Sequence, residues 1–143
     1  MEIKSDFTVL LVEDEAADVH LTKMAFKQSR LLVNVCDVGD GVEALAFLRR
    51  EGNYHSAPWP DIILLDLNMP RMDGKTFLTH LKQDEKLKRI PVIVLTTSEA
   101  ESDIVESYEL GCSGFVTKPM DLSQFLRAIQ KVEDYWLTLV KRP

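Results

Sequence analysis

The sequence is poor in cysteine and has no long apolar run. Its two cysteines, Cys36 and Cys112, show no metal-ligand spacing. Both sit in or beside apolar segments, so buried free thiols are expected. No segment reaches the length that spans a bilayer, and Met1 to Thr8 is charged, without the apolar region of a signal peptide. A cytoplasmic chain with no membrane partner is expected. Basic charge is also scarce: 17 Lys and Arg stand against 23 Asp and Glu, for a net charge of −6. Without a Lys/Arg cluster there is no basic face for phosphates, so nucleic acid is not an expected partner. No internal repeat, low-complexity tract or interdomain linker interrupts the chain. The three histidines, His20, His55 and His80, have no partner at ligand spacing and are expected to face solvent.

What is present centres on Ile62-Ile63-Leu64-Leu65-Asp66. Four consecutive branched aliphatics are too few for a helix and show no polar alternation, which is the pattern of a strand buried on both faces. The run stops on an acid, and Pro70 with Asp73-Gly74 then turns the chain. Asp66 is thereby placed at the carboxyl end of a strand, where open α/β sheets bind ligands. A bland role as a helix cap or turn residue is the competing reading until the other strand ends are considered.

The remaining elements alternate. A strand over Thr8 to Val12 ends in Glu13-Asp14-Glu15, and a helix follows over Ala16 to Ser29. A second strand, Leu32 to Val38, leads through an Asp40-Gly41 turn to a helix marked by Val42, Leu45, Ala46 and Arg49. Gly52 is expected to close that helix in the left-handed conformation. Asn53 to Pro60 is longer than the ~2–6 residues usual between helix and strand. Strand three, Asp61 to Leu65, precedes a helix over Lys75 to Gln83, and Gln83 to Arg89 reads as a solvated connection without a binding role. Strand four (Ile90 to Leu95), a helix from Ser102 to Leu110 closed by Gly111, strand five (Gly114 to Thr117) and a helical face from Asp121 to about Val140 complete the chain. The expected fold is α/β: one domain, residues 1–143, with a doubly wound five-stranded parallel sheet in the flavodoxin-like order 2-1-3-4-5 and five helices.

Parallel strands put their carboxyl ends along one edge, and in this order strands one and three are neighbours. Glu13 and Asp14 then lie beside Asp66, with Thr96 and Lys118 on the next strands. Close carboxylates resist joint ionisation unless a cation compensates, and a hard divalent ion with oxygen ligands does so. A lysine beside it can grip a phosphate, and a hydroxyl can donate to the same group. The set suits phosphoryl transfer to a carboxylate. An aspartyl phosphatase would want a second acid two residues after its nucleophile, and Asn68 stands there. A nucleotide-binding Rossmann protein would want a glycine-rich loop after strand one, where Glu13-Asp14-Glu15 stands.

Glu13-Asp14, the Asp66 to Gly74 segment, Thr96 and Lys118-Pro119 resemble, in order and spacing, the motif set of response-regulator receiver domains of two-component signalling. The resemblance covers a core of about residues 8–130. It implies that Asp66 is the phosphoacceptor. Mg²⁺, with Mn²⁺ as substitute, would be held by Glu13, Asp14, Asp66 and the backbone carbonyl of Asn68. Thr96 would be the switch hydroxyl, Lys118 the phosphate-binding lysine and Phe115 the aromatic switch residue. The protein would be a signalling phosphoacceptor that assists its own phosphorylation and dephosphorylation, and no output domain is expected. The Tyr54 to Pro60 insertion, Leu95-Thr-Thr-Ser98, Ser107 to Leu110 and Tyr135-Trp136-Leu137 are similar to regulators of cyanobacterial phytochromes, which implies a phytochrome histidine kinase as partner. Two departures stand out: Phe115 where many members carry Tyr, and Thr97 where a small residue is common. The tail after Asp121 is expected either to fold back on the domain or to support a homodimer through the helix 4–strand 5–helix 5 face, using Tyr108, Phe125 or the Trp136 region.

Overall fold

The computed structural model describes residues 7–28, 33–67, 69, 71–96, 101–117, 127, 130, 131 and 134, with residues 96, 101, 102, 105, 116 and 117 as backbone alone. Its strands are β1 (Phe7–Val12), β2 (Val33–Val38), β3 (Ile62–Leu65), β4 (Val92–Thr96) and β5 (Gly114–Thr117). They form one sheet in the order β2-β1-β3-β4-β5, with every neighbouring pair parallel. Between them lie α1 (Ala16–Lys27), α2 (Gly41–Arg49), α3 (Gly74–Lys82) and α4 (Glu101–Glu109). Of the expected fifth helix only Arg127, Gln130, Lys131 and Asp134 are described, each of them helical. Phe125 and Trp136 lie outside the described residues.

Strand alternation sorts the core into two layers. Leu10, Val12, Ile63, Leu65, Val92 and Val94 face α2 and α3, where Phe47, Phe77, Leu78 and Leu81 meet them. Val9, Leu11, Ile62, Leu64, Ile93 and Leu95 face the other way, against Ala25 and Phe26 of α1. The four residues of β3 are fully buried, as a run without polar alternation requires. Truncating any one of them to alanine would cost about 2–5 kcal/mol.

Several boundaries differ from the sequence reading. Asp40-Gly41 and Asp73-Gly74 are helix starts, not turns. Asp40 accepts from the Glu43 amide at 2.9 Å and Asp73 from the Thr76 amide at 2.9 Å, each satisfying a first-turn donor. The residue that closes α2 is Arg50, at φ 57°, not Gly52. The Glu51 amide reaches back to the Ala46 carbonyl and the Arg50 amide to Phe47, the paired bonds of a Schellman end. Gly52 is also left-handed, at φ 58°, but opens a short 3₁₀ turn, Gly52–Tyr54. Gly111 ends α4 as expected, at φ 101°. Asp61 stands just before β3, tied to Thr8 by a carboxylate bond of 2.7 Å and a backbone bond of 2.8 Å. The connection after α3 is anchored by buried Leu87 in a second 3₁₀ turn, Leu87–Arg89. Both cysteines are free, but only Cys112 is buried and Cys36 is half-buried. Burial pushes both thiols up from their ordinary range.

Candidate functional site: an acidic cluster at the switch point

The site begins where the β1 and β3 ladders run out. The Glu13 amide donates to the Val38 carbonyl at 2.9 Å, and the Asp66 amide to Val12 at 3.0 Å. Each acid is thus held by the last backbone bond of a strand that is itself buried. The side chains converge: Glu13, Asp14 and Asp66 offer carboxylate oxygens that lie within 4.8 Å of one another. Glu13 and Asp66 are buried, at 4% and 7% exposure, while Asp14 is exposed. The Glu15 amide donates to the Glu13 carboxylate at 3.2 Å and holds it in the loop.

This donor set fits a hard divalent cation. The oxygens belong to carboxylates, and a six-coordinate ion with bonds of about 2.1 Å holds its ligands about 3–4 Å apart. Small side-chain rotations would bring the three acids to that spacing, and the ion would offset their mutual repulsion.

The loop after Asp66 is drawn tightly back over the site. Gly74, the first residue of α3, donates to the Leu67 carbonyl at 3.0 Å. A Cβ there would fall inside contact distance of the Asp66 carbonyl oxygen and 2.7 Å from Leu67 Cα. Across the loop, the Gly41 amide donates to the Met72 carbonyl at 3.1 Å. Met72 packs so closely that a Cβ on Gly41 would lie 2.8 Å from its Sδ. Arg71, at φ 60°, extends its guanidinium to buried Asp40, with Nε 2.7 Å from Oδ2, and to Glu43 at 3.5 Å. Glu43 in turn accepts from the Tyr54 hydroxyl.

Burial alone would raise the Asp40 carboxyl, but the amide of Glu43, the Arg71 guanidinium and the amide of Val42 together hold it below the usual range. The bond to Glu43, followed by burial, pushes the Tyr54 phenol up to about 12. Sequence reasoning missed this network. Asp40 before an apolar helical pattern was the available signal for a cap; nothing local marked Arg71, 31 residues from its partner.

The other expected residues divide. Thr96 ends β4 opposite Thr117 in the ladder, at the same edge as Asp66, and is described as backbone alone. Phe115 pairs with Val94 and is partly buried against the α2–α3 side of the core. Tyr108 is 50% exposed on α4. Lys75 Nζ pairs with Asp103 and, at 2.9 Å, with Glu106, which ties α3 to α4. Asn68, Thr97, Lys118 and Pro119 lie outside the described residues. His20, exposed as expected, also lines a cleft of about 420 Å³ with Glu13, Asp14, Val19 and Lys23.

Comparison with known proteins agrees with this geometry. The response regulator receiver domain profile matches residues 9–130. Response regulator Rcp1 of Synechocystis sp. is 43% identical over 135 residues, covering 94% of this chain and 92% of Rcp1. The crystal structure of the phosphorylated cyanobacterial phytochrome response regulator RcpA superposes with a TM-score of 0.88 at 44% identity, covering 94% of this chain and 96% of RcpA. The Mn²⁺-bound form of Rcp1 gives a TM-score of 0.87 at 42% identity, covering 96% of this chain and 99% of that one. Among the described residues no helix is long and apolar enough to cross a membrane.

Proposed function

Because the chain belongs to the response regulator receiver domain family, we propose that Asp66 accepts a phosphoryl group from the phosphohistidine of a sensor kinase. The observation that carries this reading is the meeting of Glu13, Asp14 and Asp66 within 4.8 Å at the carboxyl edge of β1 and β3. An Asp66 oxygen attacks the phosphorus, the bond from phosphorus to the donor nitrogen breaks, and the departing imidazole takes up a proton. Mg²⁺, or Mn²⁺ in its place, supplies charge neutralisation for the phosphoryl oxygens when bound. Glu13, Asp14, Asp66 and the backbone carbonyl of Asn68 would hold the ion. Lys118 pairs with one phosphoryl oxygen and Thr96 donates its hydroxyl to another, with Phe115 following it inward. The same groups assist hydrolysis of the acyl phosphate, so the chain promotes both its own phosphorylation and its own dephosphorylation.

The kinase is a phytochrome, by analogy with RcpA, a phytochrome response regulator, and the site of action is cytoplasmic. The readout is the face built from α4, β5 and the following helix. Tyr108 stands half exposed there, and a homodimer through this face is part of the proposal. Sedimentation should show self-association at high micromolar concentration; monomer alone, with or without phosphorylation, would refute the dimer.

The chemistry is tested by intact-protein mass after incubation with acetyl phosphate, with and without Mg²⁺. A gain of one phosphate that needs Mg²⁺ and is absent in Asp66→Asn supports the reading. Wild-type protein that gains nothing contradicts it.

A further inference from the structure

At the sheet edge opposite Asp66, the end of α2, the connection after α3 and the long loop before β3 line an open cleft of about 410 Å³. That size falls within the ~300–1,000 Å³ range of small-molecule sites. Its floor is apolar: Leu48 and Leu87 are 5% and 3% exposed. Its rim is cationic, formed by Arg49, Arg50 and Lys86. Among the described residues none of these three cations takes part in an ion pair. The acid in the lining, Asp84, accepts from the backbone amides of Lys86 and Leu87 at 2.9 and 3.1 Å. Those two amides, with smaller contributions from the charges of Arg49 and Lys86, hold its carboxyl below the usual range. In a chain of net charge −6, three cations facing a single acid, Asp84, around one cleft favour an anion, which gains charge-assisted hydrogen bonds there.

The remaining wall is Trp59, 46% exposed. A lone exposed indole needs no explanation; one beside an apolar floor and three cations does. Pro58 and Pro60 flank it and fix their own φ, so the indole sits on a restricted backbone and loses little entropy when a ring stacks on it. The segment that presents it is longer than a helix-to-strand connection needs, and such loops commonly carry binding sites. Arg50 adds a further sign. It holds the left-handed position at φ 57°, where glycine costs least, so a charged side chain stands there against the backbone's preference.

We propose that this cleft binds a small anion carrying a planar ring, the chemistry of a nucleoside monophosphate, with phosphate oxygens on Arg49, Arg50 and Lys86 and the base stacked on Trp59. The site lies away from Asp66 and is independent of the phosphoacceptor reading. It also gives the Gln83 to Arg89 connection a binding role that its sequence alone does not suggest.

The test is a two-dimensional NMR titration of the full chain without divalent cation, using AMP, CMP, adenosine and inorganic phosphate as probes. Saturable shifts of the Trp59 indole N–H and the Arg50 and Leu87 amides are expected with a nucleotide. Adenosine and inorganic phosphate should each bind at least about tenfold more weakly, since each lacks one half of the recognition. Arg50→Gly removes one cation while suiting the backbone, so it stays folded and should weaken nucleotide binding about tenfold. Trp59→Ala should weaken it independently. The proposal is overturned if neither nucleotide gives saturable shifts at millimolar concentration, if shifts are confined to the Asp66 edge, if inorganic phosphate binds as well as the nucleotides, or if Arg50→Gly changes nothing.

Discussion

Replacing Gly74 by alanine separates local helix preference from the packing of the phosphoacceptor loop. Gly74 is the first residue of α3 and stands outside the left-handed region, so helix propensity alone predicts that alanine stabilises by up to about 1 kcal/mol. The site predicts the opposite. The added Cβ would lie 2.7 Å from Leu67 Cα, where ordinary contact begins at 3.4 Å. The loop must retreat by about 0.7 Å (3.4 − 2.7), more at the Asp66 carbonyl oxygen, and the obstructing atoms are backbone. Such overpacking costs about 1–3 kcal/mol, enough to reverse the propensity gain. The same retreat carries Asp66 with it, and a shift of about 1 Å in a reacting group lowers rates on the order of a hundredfold. Urea denaturation and the rate of phosphate gain from acetyl phosphate read the two effects. Gly39→Ala, where an added Cβ meets nothing within 4 Å, is the stability control and should be neutral or slightly stabilising. A Gly74→Ala protein as stable as wild type and phosphorylated at the same rate would refute the reasoning.

Three other outcomes follow from the loop and its supports. Arg50→Gly should raise the unfolding free energy by about 0.5–1 kcal/mol, read as a higher urea midpoint, because glycine adopts the left-handed end of α2 without a Cβ penalty; a lower midpoint would contradict that account. Asp40 has a depressed carboxyl, so its contribution is fully present above the unfolded value of about 4 and is lost as pH falls through its own lower value. Asp40→Asn keeps a cap but should flatten the stability loss below about pH 4, and urea midpoints across that window should show it. Tyr54, pushed up to about 12, contributes stability that is present below about pH 10 and lost as pH rises toward 12. Difference spectra against Tyr54→Phe should place its ionisation there, and Glu43→Gln should return it toward the ordinary value.

Much of the architecture was legible because the burial of each strand is written locally. Ile62 to Leu65 carries no polar residue, and only a strand covered on both faces accommodates that. The convergence of Glu13 and Asp14 with Asp66 was legible for the same reason: strand order places them side by side, Glu13 and Asp66 each stand at the first position after an apolar run, and Asp14 follows Glu13. What was missed depends on contacts made far along the chain. The Asp-Gly pairs read as turns because a cap and a turn share residue types, and only the Glu43 and Thr76 amides decide between them. Gly52 was the expected helix end on propensity, yet tertiary packing places the left-handed residue at Arg50. Arg71 meets Asp40 only after β3 has been threaded beside β1, so no local pattern announces it. The charged connection after α3 looked solvated because one buried residue, Leu87, cannot be told from its charged neighbours by periodicity over so few positions.

The measurement closest to the central claim locates the phosphoryl group itself. Protein incubated with acetyl phosphate and Mg²⁺ is reduced with borohydride, which converts an aspartyl phosphate to homoserine, and its peptides are sequenced by mass spectrometry. Homoserine at position 66 and at no other position is the expected result. Reduction at a different acid, or a stable phosphate on a hydroxyl residue with Asp66 intact, would contradict the assignment of Asp66 as the acceptor.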